Sequence, residues 1–152
     1  MYVWLRANNL IKVLERRQAS LNAEIATHEQ RIKSIQLAIS HKEKEQQDLK
    51  EQIKRLTPAG VLSRTTMYKI IRRQGVLLSQ IHIIADELLQ LEEILSEQRR
   101  KLEQIRRERK IQDKKHYKVT AYVQKLRRQQ LQHHELIMEN EVQESVCYAK
   151  SY

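Results

Sequence analysis

Glycine and proline are almost missing from this chain, with two and one among 152 residues. That scarcity excludes folds built on many tight turns, and with them the glycine-rich phosphate loop and the nucleophile elbow. Phenylalanine is absent and tryptophan occurs once, while 32% of the residues are charged. Such a composition suits long exposed helices better than a layered core enclosing a pocket. The lone Cys147 leaves no internal disulfide and is consistent with a reducing compartment. No apolar run approaches the roughly 18 residues of a spanning helix, and the opening Met1 to Asn9 is interrupted by Arg6 and two amides. No cleaved signal, no membrane span and no direct membrane insertion are expected. Six histidines are scattered without a His-x-x-x-His pair or a Cys/His cluster, so no metal and no cofactor are expected. Nothing gathers carboxylates in a concave site where their pKa values would shift, and the chain is expected not to be an enzyme.

What helix-breaking chemistry the sequence has is concentrated at Thr57-Pro58-Ala59-Gly60-Val61-Leu62-Ser63. Pro58 lacks an N–H and biases Thr57 away from helical angles, Gly60 tolerates positive φ, and Ser63 can cap a helix starting near Arg64. Before this turn, apolar residues recur with steps of three and four. One series runs Trp4, Ile11, Gln18, Ile25, Ile32, Ile39, Gln46, Ile53, and the other Ala7, Leu14, Leu21, His28, Ile35, Lys42, Leu49, Leu56. Twelve of these sixteen are apolar. After the turn the repeat resumes from Met67 to Ile105 with ten of twelve apolar, fails at Arg109, Gln112 and His116, and returns at Val119, Val123 and Leu126. A period of 3.5 held this long is a coiled-coil signal, and a connection this short makes the helices antiparallel.

The expected fold is therefore all-α: a long antiparallel two-helix coiled-coil hairpin with an overhanging C-terminal helix, forming a single domain over residues 1–152. Helix 1 is expected over about 4–56, the turn over 57–63, helix 2 over about 64–140, and a frayed tail over 141–152. Matching polar seam residues sets a register in which facing residue numbers add to about 116, with Lys42 opposite Gln74, Gln18 opposite Gln98, Ile39 near Leu77 and Ile32 near Ile84. A register one heptad away, at 123, sets Lys42 against Ile81. In the 116 register the first helix runs out opposite roughly residue 112, so residues 109–128 project past the N-terminus.

Charge is unevenly placed along the chain. Residues 109–129 hold eight Lys/Arg against one acid, and residues 130–152 hold one against four, while the remainder is nearly balanced. The candidate docking residues are Arg109, Lys110, Lys114, Lys115, Lys118, Lys125, Arg127 and Arg128. One reading is a nucleic-acid surface, but basic-zipper proteins place their basic region before a parallel seam, not after an antiparallel one. The others are docking on an acidic protein surface and a merely solvated face. Gly75, inside helix 2, is either simply tolerated or lets a partner approach the backbone closely.

Two segments carry a resemblance. The first is Leu10-Ile11-Lys12-Val13-Leu14-Glu15-Arg16-Arg17; the second comprises Leu62-Ser63-Arg64, Met67-Tyr68, Ile70-Ile71-Arg72-Arg73-Gln74 and Gln80-Ile81. Off the seam, Lys12, Glu15, Arg16, Arg17, Ser63, Tyr68, Arg72, Arg73 and Gln80 carry it. The chain resembles the central-stalk proteins of type III secretion, the family of flagellar FliJ and its YscO-like injectisome counterparts, most closely the SpaM/InvI branch. It departs from that branch mainly at Gly75 and in its tyrosine-containing tail. The resemblance implies a non-enzymatic stalk standing in a hexameric secretion ATPase, coupling it to an export-gate protein and, in some members, handling secretion chaperones. The termini end would enter the ring and the turn end would point to the gate. It also implies a cytoplasmic location at the cytoplasmic face of the bacterial secretion apparatus, and no nucleic acid partner. Because each helix completes the other's seam, the chain is expected to be monomeric in isolation. The alternatives are a nucleic-acid-binding basic coiled coil and an escort for secretion chaperones.

Overall fold

The computed structural model describes residues 2–56 and 60–151. Two helices account for nearly all of them: α1, Tyr2–Leu56, and α2, Arg64–Lys150. The fold is an all-α helical hairpin, and its residues cluster into two units: 24–105, and 1–23 with 106–152.

Unit 24–105 contains the reversal. Thr57, Pro58 and Ala59 lie outside the described residues. Gly60 has φ +124°, a backbone region that L side chains rarely enter. Ser63 then caps α2: its Oγ accepts from the Thr66 N–H at 3.3 Å, and its carbonyl accepts from the Met67 N–H at 3.0 Å. Its hydroxyl also lies 2.7 Å from Thr66 Oγ1. The Thr66 N–H, one of the orphan donors that begin any helix, is thereby satisfied, and the Met67 bond is the first regular turn of α2. The core of this unit is apolar on both helices, with Ile25 from α1 and Leu77, Ile81, Ile84 and Leu102 from α2 buried.

The register is not the one that polar matching gives. Lys42 Nζ lies 2.8 Å from Glu87 Oε2, 13 residues beyond the expected Gln74, and not against Ile81. His28 Nδ1 lies 2.9 Å from Gln98 Oε1, the glutamine expected to meet Gln18. The shift has a physical cause. Pairing Lys42 with an amide satisfies its hydrogen bonding but not its charge, whereas Glu87, flanking the seam, satisfies both. Polar matching counted only seam positions and missed the flanking carboxylate.

Unit 1–23 with 106–152 pairs the start of α1 with the later part of α2. Leu14 and Leu21 from α1 and Val123 from α2 are buried, and Leu21 is 0% exposed. Gln18 Nε2 donates to Asp113 Oδ1 at 2.7 Å, again well past the expected Gln98, and Glu15 Oε1 lies 3.4 Å from His116 Nε2. Residues 109–126 therefore do not project past the N-terminus; they run beside α1. The register adopted buries Val123 and half-buries Val119 and Leu126, apolar surface that the expected alignment leaves unpaired.

From Arg127 to Lys150 α2 continues with every residue exposed. The tail expected to fray from 141 is helical to Lys150. Its end is closed by Ser151, whose N–H donates to the Tyr148 carbonyl at 3.3 Å and whose Oγ donates to the Cys147 and Tyr148 carbonyls at 3.1 and 3.0 Å. Among the described residues, no helix is long and apolar enough to cross a membrane.

Candidate functional site

A helical pair offers no enclosed cavity, so what it can do depends on which side chains its two flanks display. In unit 1–23 with 106–152 the display is basic. Lys110, Lys114, Lys115, Lys118, Lys125, Arg127 and Arg128 are all exposed, and none of them forms an ion pair among the described residues. Arg109 differs, with Nε 3.9 Å from Asp113 Oδ2 one helical turn on. Pairs of this spacing on an exposed helix contribute only a few tenths of a kcal/mol. Asp113 is thus shared between Arg109 and Gln18, and the single acid of the basic segment is consumed within the fold. The remaining cations keep their charge directed outward.

The family-motif residues of this unit divide in two. Lys12 and Arg16 are exposed, while Arg17 Nη2 reaches across to Glu108 Oε2 at 3.3 Å. Arg17 and Glu15, paired with Glu108 and His116, act as cross-helix ties and not as free docking groups. Periodicity could not have found this, because Arg17 and Glu15 lie outside the seam series; for Arg17 and Glu108, opposite charge was the available signal.

Unit 24–105 carries a second surface close to the reversal. Arg72 and Arg73, with Lys69, Val76, Leu77 and Gln80, line an open cleft of about 530 Å³ against Gln52 of α1. Three motif residues, Arg72, Arg73 and Gln80, are therefore brought to one face. Tyr68 is exposed and is not part of that lining. Gln80 also lines a neighbouring cleft of about 400 Å³ with Ile83 and Ile84 of α2 and Glu45, Asp48 and Leu49 of α1. Sequence reading did not single out Glu45 or Asp48 for a site. The signal was present, since positions flanking a two-helix seam must border its grooves on either side.

Deeper in the same unit, Lys42 is held between Glu87 at 2.8 Å and Glu45 at 3.6 Å. Glu87 Oε2 is shielded from solvent and has no further hydrogen-bond partner, so the ion pair is its sole compensation. The close contact with Glu87, assisted by the charge of Glu45, raises the Lys42 pKa above its ordinary value of 10.5. Lysine therefore stays charged throughout the physiological range, and the layer serves as an alignment device.

Gly75 lies between these features on α2, and a Cβ built there meets nothing within 4 Å. Nothing among the described residues requires glycine at that position. Among the described residues, no group of three or more His, Cys, Asp or Glu is placed to hold a metal ion.

Neither the curated proteins nor the solved structures contain a match to this chain. One family model does match, described as Salmonella surface presentation of antigen gene type M protein, and it spans residues 5–146. Those residues take in both reversal-flanking helices, the basic segment and most of the exposed end of α2. The chain belongs to the Salmonella surface presentation of antigen gene type M family, and so to the components of type III secretion.

Proposed function

We propose that this chain is the non-enzymatic central stalk of a type III secretion ATPase complex, with its 1–23 and 106–152 unit inserted in the hexameric ATPase ring. The observation that carries the reading is the basic segment 109–128: seven exposed cations without an ion-pair partner among the described residues, on a stretch of α2 whose one acid, Asp113, is already engaged. A stalk that must turn or slip inside a ring benefits from contacts that are long-ranged and weakly directional, as charge is and interlocking apolar packing is not. Acidic loops lining the ring are the matching surface. In unit 24–105 the cleft of Arg72, Arg73 and Gln80 is the surface offered to the export-gate protein, and the exposed Lys12 and Arg16 remain for secretion chaperones. The stalk works in the cytoplasm, at the cytoplasmic face of the apparatus.

Nucleic acid is the weaker reading because the basic segment continues directly into an acidic helix of net charge −3 over 130–152, which would repel a phosphate backbone running along the same flank. The test is a quadruple variant, Lys114→Glu, Lys115→Glu, Arg127→Glu and Arg128→Glu. It is expected to keep its helical content while losing stimulation of the ATPase and the salt sensitivity of that stimulation. Stimulation equal to wild type overturns docking through the basic flank. Steep, salt-dependent binding to DNA or RNA together with no binding to the ATPase favours the nucleic-acid reading instead.

A further inference from the structure

The expectation of a monomer rests on each helix completing the other's seam, and that argument covers only the paired residues. Residues 127–150 have no partner helix, yet they are helical and carry an apolar stripe: Leu131, Met138, Val142 and Val146. At 100° per residue these four fall within an arc of roughly 80°. All four are exposed, Leu131 by 56% and Val142 by 60%. An apolar stripe of this kind on a free helix is a contact surface, and its chemistry names the occupant.

The charges beside it point to one. Glu135 and Glu139 lie next to the stripe, and on the same side of α2 lie Lys110 and Lys114, the four falling within an arc of roughly 60°. One side of a single helix is therefore basic in its earlier half and acidic in its later half. A two-fold axis perpendicular to such a helix sets the basic half of one copy against the acidic half of the other, twice over. Parallel pairing instead stacks like charges along the whole length.

We propose that two copies of this chain associate antiparallel through α2, with Glu135 of each facing Lys114 of the partner subunit and Glu139 facing Lys110 of the partner subunit. The spacing closes the register: 135 with 114 and 139 with 110 share one centre, between residues 124 and 125, where the small Ala121 lets the helices approach. The same register brings Leu131 beside Tyr117 of the partner subunit, and Tyr117 is 76% exposed in the single chain. None of Lys110, Lys114, Glu135 or Glu139 has an ion-pair partner within its own chain among the described residues, so association breaks no existing ion pair. The surface used includes Lys114, part of the flank proposed to meet the ATPase. The dimer is accordingly a resting form that must part before the stalk enters the ring. The pairing itself does not depend on that reading.

The test is a charge exchange on the full chain, followed by light scattering or sedimentation. Wild type is expected to dimerise at low ionic strength and to dissociate as the screening length falls from about 30 Å at 0.01 M to about 3 Å at 1 M salt. Variant one carries Glu135→Lys and Glu139→Lys, and variant two carries Lys110→Glu and Lys114→Glu. Each alone is expected to weaken self-association about tenfold or more, through like charges facing each other. Mixed one to one, they are expected to recover a heterodimer, since every facing pair is again opposite in sign. Circular dichroism on each variant establishes that the helices are intact. A wild type that stays monomeric at low salt, a single variant that dimerises as wild type does, or a mixture that recovers nothing overturns the pairing. Variant one keeps the whole basic flank, so its stimulation of the ATPase reports on the stalk reading separately.

Discussion

The two units of this molecule use the same secondary structure for different ends. In unit 24–105 the helices meet through an apolar core with Lys42, Glu87 and Glu45 as a charged layer, and the ties across the pair also include His28 with Gln98. In unit 1–23 with 106–152, among the described residues, only Leu14, Leu21 and Val123 are buried, and much of the cross-helix contact is polar: Arg17 with Glu108, Gln18 with Asp113, Glu15 with His116. Exposed polar ties of this kind are worth little individually. The first unit is therefore built to hold, and the second to stay paired while presenting charge. Seam continuity and functional display compete for the same helix faces, and the chain divides them along its length.

The sharpest way to break this comparison is to remove the largest apolar contribution from the weaker unit. Leu21→Ala is expected to cost about 3 kcal/mol, within the usual range for a fully buried leucine, and hydrogen exchange should then lose protection in 2–23 and 106–126 while 24–105 keeps its own. Equal loss of protection in both units would show that they open together and that the distinction is not energetic. Gly60→Ala is next, at about 1 to 2 kcal/mol, because alanine resists φ +124°. Thermal unfolding measures it, and the effect should vanish if the reversal can adopt another backbone.

Gly75→Ala works in the opposite direction. With nothing near the added Cβ, it is expected to stabilise unit 24–105 by about 0.8 to 1 kcal/mol. If secretion in cells falls while stability rises, the glycine serves a close approach by a partner; if both are maintained, it was merely tolerated. Thr120→Val in the other unit should be neutral or gain a few tenths of a kcal/mol, since Thr120 Oγ1 is buried without a hydrogen-bond partner and loses nothing by removal. The smallest effect belongs to pH. Folding raises the Lys42 pKa, so its contribution is fully present below the ordinary value of 10.5 and disappears as pH rises through the higher folded-state value. Denaturant midpoints of wild type and Lys42→Met should accordingly differ by the same amount at pH 6 and pH 9 and converge only in strong alkali.

Much of this was legible in the sequence. The heptad pattern located both helices, Pro58 and Gly60 located the reversal, and Ser63 was recognisable as a cap because its hydroxyl precedes a helical run. The register was not legible by matching polar seam residues, because Lys42, Gln18 and His28 are each satisfied by residues, Glu87, Asp113 and Gln98, chosen by charge and reach from seam and flank alike. The misjudged register also misplaced the basic segment, moving Arg109 to Leu126 from beside α1 to beyond it. The sequence located the eight cations by their uneven charge but not their pairing: Arg109 meets Asp113, and the other seven have no ion-pair partner among the described residues, since a run of eight against one cannot be neutralised locally. The helical end of α2 was missed because a polar sequence without a seam reads as frayed, although Ser151 and Ser145 supply carbonyl partners there.

The cross-helix ties of the terminal unit join residues 91, 95 and 101 positions apart, against 70 for His28 and Gln98. Because closing a longer loop costs more entropy, pairing is expected to advance from the reversal outward and to reach the termini last. During synthesis the order is harsher still. Residues 2–23 leave the ribosome before their partners beyond Arg106, which follow only after several seconds at roughly 5 to 20 residues per second. Throughout that interval Leu14 and Leu21 wait for the helix that will cover them, so the half of the pair that is made before its partner is the one most in need of a holding chaperone.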